Sequence, residues 1–84
     1  MSALTTIASA LKKVGLRSAE QMLTDGELLF RTKDYQKAIL VFSQVEVQYT
    51  GNKPAYAEAV YRGGEALYAT KDYLSARTKF KIVA

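Results

Sequence analysis

An internal repeat constrains the fold of this chain more than any other feature of its sequence. Residues 29–35, Leu-Phe-Arg-Thr-Lys-Asp-Tyr, recur as Leu-Tyr-Ala-Thr-Lys-Asp-Tyr at residues 67–73, an offset of 38 residues. The same offset pairs further identical residues: Ala19 with Ala57, Glu20 with Glu58, Gly26 with Gly64, Glu27 with Glu65, Ala38 with Ala76, Phe42 with Phe80 and Val45 with Val83. Self-similarity at a period of about 20–50 residues indicates a repeat protein, in which each unit buries its apolar face only against its neighbours.

Each unit is predicted to be a pair of helices joined by a tight turn. Ser18 and Gln21 form a capping-box pattern, which predicts a helix start near residue 18. Residues 32–34 break this helix, and Asp34 is expected to cap the next one. Residues at helical spacing define the inward faces: Met22, Gly26 and Leu29 in the first helix, and Ala38, Phe42, Val45 and Tyr49 in the second.

The second unit is predicted to begin after a helix stop at residues 50–53. Gly51 suits the left-handed conformation past a helix end, and Pro54 suits the first turn of the following helix. The two helices of this unit are expected to run from about Pro54 to Thr70 and from Asp72 to the end of the chain.

A further amphipathic segment precedes both units. Leu4, Ile7, Leu11 and Val14 share one helical face, and Gly15 is a stop signal. Residues 1–17 are therefore predicted to form either a capping helix or the trailing half of a degenerate repeat.

Composition restricts the chemistry that the chain can perform. It contains neither Cys nor His, which excludes disulfides, cysteine-rich metal sites and imidazole acid–base catalysis. Glu27 and Glu65 are a conceivable pair of catalytic carboxylates, but their equivalent places in the two units explain them better. We therefore expect no enzymatic activity, no cofactor, no metal and no small-molecule substrate.

The N-terminal region does not predict a membrane anchor. Its uncharged stretch, residues 1–11, is far shorter than the roughly 18–20 apolar residues of a spanning helix. It also lacks the charged start of a secretory signal. The expected location is the cytoplasm, or the periplasm or cell envelope if a signal has been removed.

The repeated residues resemble the tetratricopeptide repeat over residues 19–84. Ala19 and Ala57 correspond to the first position of the family pattern. The small eighth residue is then Gly26 or Gly64, and the apolar eleventh residue is Leu29 or Leu67. The Asp-Tyr turn is Asp34-Tyr35 or Asp72-Tyr73, the following alanine is Ala38 or Ala76, and the aromatic residue is Phe42 or Phe80. The resemblance implies an all-α fold of antiparallel helix-turn-helix units, stacked as a right-handed α-solenoid of about five helices. It places the first repeat at 18–53 and a second, truncated repeat at 54–84.

The chain departs from the family pattern at three points. Asp25 and Gly63 occupy a position that is usually apolar, Thr50 replaces a usual proline, and the period exceeds the usual length by about one helical turn. Residues 54–61 resemble longer repeats of bacterial cell-envelope proteins that serve outer-membrane assembly, Tol-Pal-associated processes and gliding motility.

The resemblance implies a non-catalytic scaffold that binds a protein or peptide on the concave side, which the first helix of each unit lines. Aromatic rings there would supply contact area, and the glutamates would select a basic or amide-bearing ligand. The alternative for Phe30 and Tyr68 is packing between repeats, whereas Tyr61 is expected to be exposed. The implied concave-face residues are Leu23, Glu27, Phe30 and Arg31 in the first unit, and Tyr61, Glu65, Tyr68 and Ala69 in the second. The matched ring positions Tyr35, Phe42, Tyr73 and Phe80 are expected to be structural.

Other partners remain as alternatives at this point. A stable array generally needs at least three repeats, so the chain is expected to be a fragment whose Ile82 and Val83 pack in a homodimer or domain-swapped oligomer. A basic strip on the second helices could contact nucleic acid, although a solvated surface is the commoner role of such residues. The concave face lacks the Lys, Arg and Asn clamp that the family uses for chaperone tails, since Arg31 stands alone there. The strip comprises Lys37, Lys71, Arg77, Lys79 and Lys81.

Overall fold

The computed structural model describes residues 17–84, and within them it contains four α-helices and no β-strand. The predicted all-α class is therefore confirmed. Each helix packs against the next in the chain, and the first also contacts the third. The predicted helix around Leu4 to Val14 lies outside the described residues. The helices are α1 (Ala19–Arg31), α2 (Tyr35–Gln48), α3 (Lys53–Ala69) and α4 (Tyr73–Val83).

The capping box at the start of α1 is confirmed. The Ser18 hydroxyl accepts a hydrogen bond from the Gln21 backbone N–H at 3.1 Å, and the Gln21 side-chain oxygen accepts one from the Ser18 N–H at 3.1 Å. The two bonds satisfy N–H groups that have no partner inside the helix. They fix the first residue of α1 and therefore the rotational phase of every side chain along it.

Lysines, not a glycine, adopt the left-handed conformation at the helix ends. Lys33 has φ 65° and Lys71 has φ 68°, while no glycine among residues 17–84 has a positive φ, so the prediction for Gly51 is wrong. After Lys33, the Asp34 N–H donates to the Leu29 carbonyl at 2.8 Å, which completes a Schellman motif. At the end of α2 the chain turns differently, because Asn52 accepts from the Ala55 N–H at 3.3 Å and begins α3 directly.

Substituting glycine for the left-handed lysines is expected to stabilise the protein. The left-handed conformation costs an L-residue about 1–2 kcal/mol, and glycine avoids this cost. Part of the gain is lost again, because glycine has more conformational freedom in the unfolded chain. We expect Lys33→Gly and Lys71→Gly each to raise the free energy of unfolding by about 0.5–1 kcal/mol in urea titrations. Gln44→Gly, at an exposed position inside α2, is the control and should lower it by about 1 kcal/mol. A loss of stability in both lysine variants would contradict the left-handed assignment.

Asp34 and Asp72 occupy equivalent positions but act differently. The Asp72 carboxylate accepts a hydrogen bond from the Ser75 N–H at 3.3 Å and caps α4 as an N-terminal aspartate should. Asp34 lies at the start of α2 without such a bond, so the predicted side-chain cap is wrong there. Its carboxylate lies 3.7 Å from the Lys37 ammonium instead, where the second unit has Ser75.

The core forms where two glycines admit phenylalanine rings. Phe42 is 1% exposed, and a Cβ built on Gly26 would lie 2.6 Å from its ring. Gly64 stands in the same relation to Phe80, also at 2.6 Å. Neither position has space for a methyl group, so glycine sets the distance between the two helices of each unit. The buried core cluster comprises Ala19, Met22, Ala38, Phe42, Val45, Ala55, Ala59 and Ala66.

Candidate partner-binding surface

Five of the implied concave-face residues lie together around one depression. It has a volume of about 410 Å³ and opens between the ends of α1, α3 and α4. We call it the aromatic groove; its lining residues are Phe30 from α1, Tyr61, Glu65, Tyr68 and Ala69 from α3, and Phe80 from α4. Residues from both units therefore meet on one side of the molecule.

The rings of the groove are held by contacts with other rings. Phe30 packs against the core and meets Tyr35 edge to face, with centroids 5.3 Å apart. Tyr61 lies 5.8 Å from Phe80, measured between ring centroids. Because the rings support one another, they form a surface of fixed shape, and little side-chain entropy would be lost on binding.

Two expectations about individual rings are corrected by their exposure. Tyr68 is 60% exposed and Tyr73 is 52% exposed, so neither is mainly a packing residue. They contact each other edge to face at 4.9 Å. Phe80, expected to be structural, also lines the groove. The reason is positional: α3 packs against α2, where Phe42, the counterpart of Phe80, is buried, whereas no helix within residues 17–84 packs on the outward side of α4.

Three of the implied residues do not reach the groove. Leu23 is partly buried and packs against the core cluster. Glu27 and Arg31 form an ion pair within α1 at 3.0 Å and border a separate depression of about 160 Å³. The first helix therefore contributes one residue to the groove, Phe30, and the third helix provides most of the surface.

Glu65 is the carboxylate of the groove, and an arginine of its own helix partly neutralises it. Arg62 lies 3.7 Å from Glu65 and 3.5 Å from Glu58, which gives a row of three charges along α3. The row keeps a net charge of −1, so it can still attract a basic or amide donor. The sequence prediction omitted Arg62, although its spacings of three and four residues from the glutamates are a readable signal.

The basic strip on the second helices is not a continuous set of free cations. Lys79 forms an ion pair with Glu46 at 2.7 Å across α2 and α4, and Lys37 pairs with Asp34. Within residues 17–84, Lys71, Arg77 and Lys81 have no ion-pair partner. The expected nucleic-acid strip is therefore interrupted in its middle, because one of its lysines holds two helices together.

Removing the ammonium of Lys79 is expected to destabilise the fold. The side chains of Lys79 and Glu46 are only 26% and 13% exposed, and the second Glu46 oxygen, Oε2, already lacks a hydrogen-bond partner. Lys79→Ala would leave a poorly solvated carboxylate, at a cost of about 1–2 kcal/mol, below that of a fully buried pair. Arg77→Ala, on the same helix, should change stability by less than about 0.5 kcal/mol.

A double substitution tests the origin of that loss. Lys79→Met with Glu46→Leu removes both charges, so it should recover most of the stability lost in Lys79→Ala when both are measured by urea unfolding. A double variant that is less stable than Lys79→Ala would show that the pair stabilises the fold by more than its own desolvation cost.

The two residues expected to mediate self-association do not form one patch. Ile82 is 50% exposed, whereas Val83 is partly buried. Val83 borders a depression of about 460 Å³ with Pro54 and Tyr61, and Ile82 is not part of that lining.

Two features are absent from the part of the chain that the structure describes. Among residues 17–84 no group of three or more His, Cys, Asp and Glu side chains could hold a metal ion. None of the four described helices combines the length and the apolar character needed to cross a membrane.

No protein-family model, curated protein or solved structure matches the chain.

Proposed function

We propose that this chain is a non-catalytic scaffold of the tetratricopeptide type, which binds a peptide or a partner protein in the aromatic groove. The single observation that carries the proposal is the meeting of Phe30, Tyr61 and Tyr68, from two units, around one open depression. The 38-residue repeat and the two helical pairs support the family and a solenoid arrangement, with the groove on its concave side.

The chemistry of the groove favours a segment with an aromatic or aliphatic anchor beside a basic or amide group. Tyr61 is 48% exposed, and tyrosine supplies broad, rigid contact area together with a polar hydroxyl. Glu65 provides an acceptor at the edge of the rings. A volume of about 410 Å³ is at the low end for a ligand pocket and accommodates one or two anchoring side chains.

Two features support a binding role in preference to catalysis. The groove is an open surface that does not exclude water, whereas acid–base and electrostatic catalysis gain most in a closed, dry site. Glu65, its carboxylate, lies beside Arg62, and the chain has no His or Cys to act as a partner in proton transfer or as a nucleophile.

The proposal is tested by selecting ligands and then asking where they bind. A random-peptide library would be panned on the full chain, and the selected peptides titrated by calorimetry into the wild type, Tyr61→Ala and Leu40→Ala. Leu40 is an exposed apolar residue of α2 away from the groove and serves as the matched control. We expect Tyr61→Ala to weaken binding at least tenfold and Leu40→Ala by less than about twofold.

Equal affinities for all three proteins would refute the groove assignment, because the peptides would then be held elsewhere. Circular dichroism should show the same helix content in both variants, since both side chains are exposed. This control separates a lost contact from a lost fold.

A further inference from the structure

The outward face of α4 is a second open surface, which adjoins the aromatic groove and shares Tyr68 and Phe80 with it. It borders a depression of about 490 Å³. Its α4 residues recur at intervals of three and four, so they follow one side of that helix, and Tyr68 of α3 lies beside Tyr73 at one end. We call it the α4 face and define it by Tyr68, Tyr73, Ala76, Arg77, Phe80 and Lys81.

The first unit of the molecule shows which kind of element packs on the equivalent face. The equivalent face of α2, 38 residues earlier, is covered by a helix, α3. There Phe42 is buried, and a Cβ built on Gly63 of α3 lies at an ordinary contact distance of 3.6 Å from the Phe42 Cβ. Phe80 holds the same place on α4 and is only partly buried. A helix with a small residue opposite Phe80 therefore fits the α4 face.

The two faces differ in charge, and this difference specifies the partner. Ile39 and Ser43 of α2 correspond to Arg77 and Lys81 of α4 by the 38-residue offset. Arg77 and Lys81 are exposed, lie one helical turn apart and have no ion-pair partner within residues 17–84. A helix that covers the α4 face must therefore bring carboxylates to both cations while burying apolar residues against Phe80 and Tyr73.

The acidic residues of this chain are already used, which argues against a second copy as the occupant. Six of its eight acidic side chains form ion pairs, and Asp72 caps α4, which leaves Glu20. No helix of a second copy would offer a row of free carboxylates. Residues 1–16 contain Lys12 and Lys13 and no acidic residue, so the charge of that segment opposes binding here as well.

We propose that the α4 face docks an acidic amphipathic helix of a partner protein. The helix would lie along α4, with a small residue opposite Phe80 and glutamate or aspartate residues beside Arg77 and Lys81. Recognition of this kind combines an apolar stripe with flanking charges that set the partner and its orientation. The inference goes beyond the function proposed above, because it assigns a role to Arg77 and Lys81, which do not line the aromatic groove, and names another class of ligand.

The test uses two synthetic helical peptides of about 18 residues, long enough to be partly helical in water. Both carry leucine and alanine at spacings of three and four; the flanking residues are glutamates in one peptide and lysines in the other. Each would be titrated into the full-length chain with detection by fluorescence anisotropy. The acidic peptide is expected to bind at least tenfold more tightly than the basic peptide.

Charge-reversal variants locate the contact. Arg77→Glu with Lys81→Glu should weaken the acidic peptide at least tenfold and strengthen the basic one. Lys33→Glu with Lys53→Glu makes the same change in net charge away from the α4 face and should change either affinity by less than about threefold. Arg77 and Lys81 do not line the aromatic groove, so the Arg77→Glu with Lys81→Glu variant should still bind the peptides selected on that groove, and the two proposals fail separately.

Three results would overturn the proposal. The first is equal or absent binding of the acidic and basic peptides. The second is an equal effect of the two charge-reversal pairs, or binding to anionic lipid vesicles or a single-stranded oligonucleotide that is as tight as binding to the acidic peptide. Either result would mean that the ligand is attracted by net charge alone. The third is a concentration-dependent dimer without peptide that Arg77→Glu with Lys81→Glu abolishes, since a second copy would then be the occupant.

Discussion

Replacing Phe42 with alanine is expected to lower the free energy of unfolding by about 3–5 kcal/mol, the usual cost of removing a buried phenylalanine ring. The ring packs against Gly26 of α1, the Phe42 Cβ lies near Gly63 of α3, and the residue is almost completely buried, so loss of the ring leaves a cavity. Domains have about 0.05–0.15 kcal/mol of stability per residue, so this change removes much of what an 84-residue chain can have. Urea unfolding followed by circular dichroism measures it.

Phe80→Ala is the matched control for this prediction. Phe80 has the same side chain at the equivalent position of the second unit, but it is only partly buried. Its removal should cost no more than about half as much, because water already contacts the ring and less apolar area is lost. Equal losses in the two variants would mean that another element covers α4.

Adding a single methyl group at Gly26 is expected to destabilise the protein by about 1–2 kcal/mol. The new Cβ would lie 2.6 Å from the Phe42 ring, and the ring is buried, so it cannot move aside without displacing its neighbours. A contact this short belongs at the upper end of the about 1–3 kcal/mol that overpacking costs, and the better helix propensity of alanine offsets only about 1 kcal/mol of it.

Gly63→Ala should have the opposite sign. A Cβ at Gly63 meets its nearest neighbours, Phe42 and Glu46, at 3.6 and 3.8 Å, which is ordinary contact. The helix propensity of alanine should then raise stability by about 0.5–1 kcal/mol. Thermal melts resolve the contrast, because 1 kcal/mol shifts the midpoint by about 4–8 °C in a domain of this size. Equal shifts of either sign would contradict the packing described for the two glycines.

The features that sequence reasoning identified are those that depend on neighbours along the chain. The capping box of Ser18 and Gln21 closes within four residues, and the stripe of Ala38, Phe42 and Val45 follows helical spacing. All three stripe residues are buried. Such signals are legible because the helical period alone determines which side chains share a face.

The features that the sequence did not predict depend on contacts or backbone conformations that residue type does not indicate. Lysine is not a residue type that indicates a left-handed conformation, so the sequence predicts that conformation at Gly51 and not at Lys33. The ion pair of Lys79 with Glu46 joins residues 33 positions apart and exists only after α2 and α4 have been placed side by side. A solvated cation and a helix-bridging one look identical in a single sequence.

The candidate site shows the same division. The family resemblance implied a concave-face position for Phe30, Tyr61 and Tyr68, and the structure brings them around one depression. The same resemblance implied a packing role for Phe80 and a concave-face position for Leu23, whereas Phe80 also lines the groove and Leu23 packs against the core. Which copy of a repeated residue is covered depends on the element beyond it, which the repeat itself does not encode.

The central claim, that the aromatic groove holds a partner, is tested most directly by nuclear magnetic resonance. A ¹⁵N-labelled sample of the full chain would be titrated with a peptide selected on the wild type, and the amide shifts followed. The account predicts the largest shifts at Phe30, Tyr61, Glu65 and Tyr68, with small shifts at Leu40 and Val47 on the outer side of α2. Shifts concentrated on that outer side, with those groove residues unchanged, would contradict it.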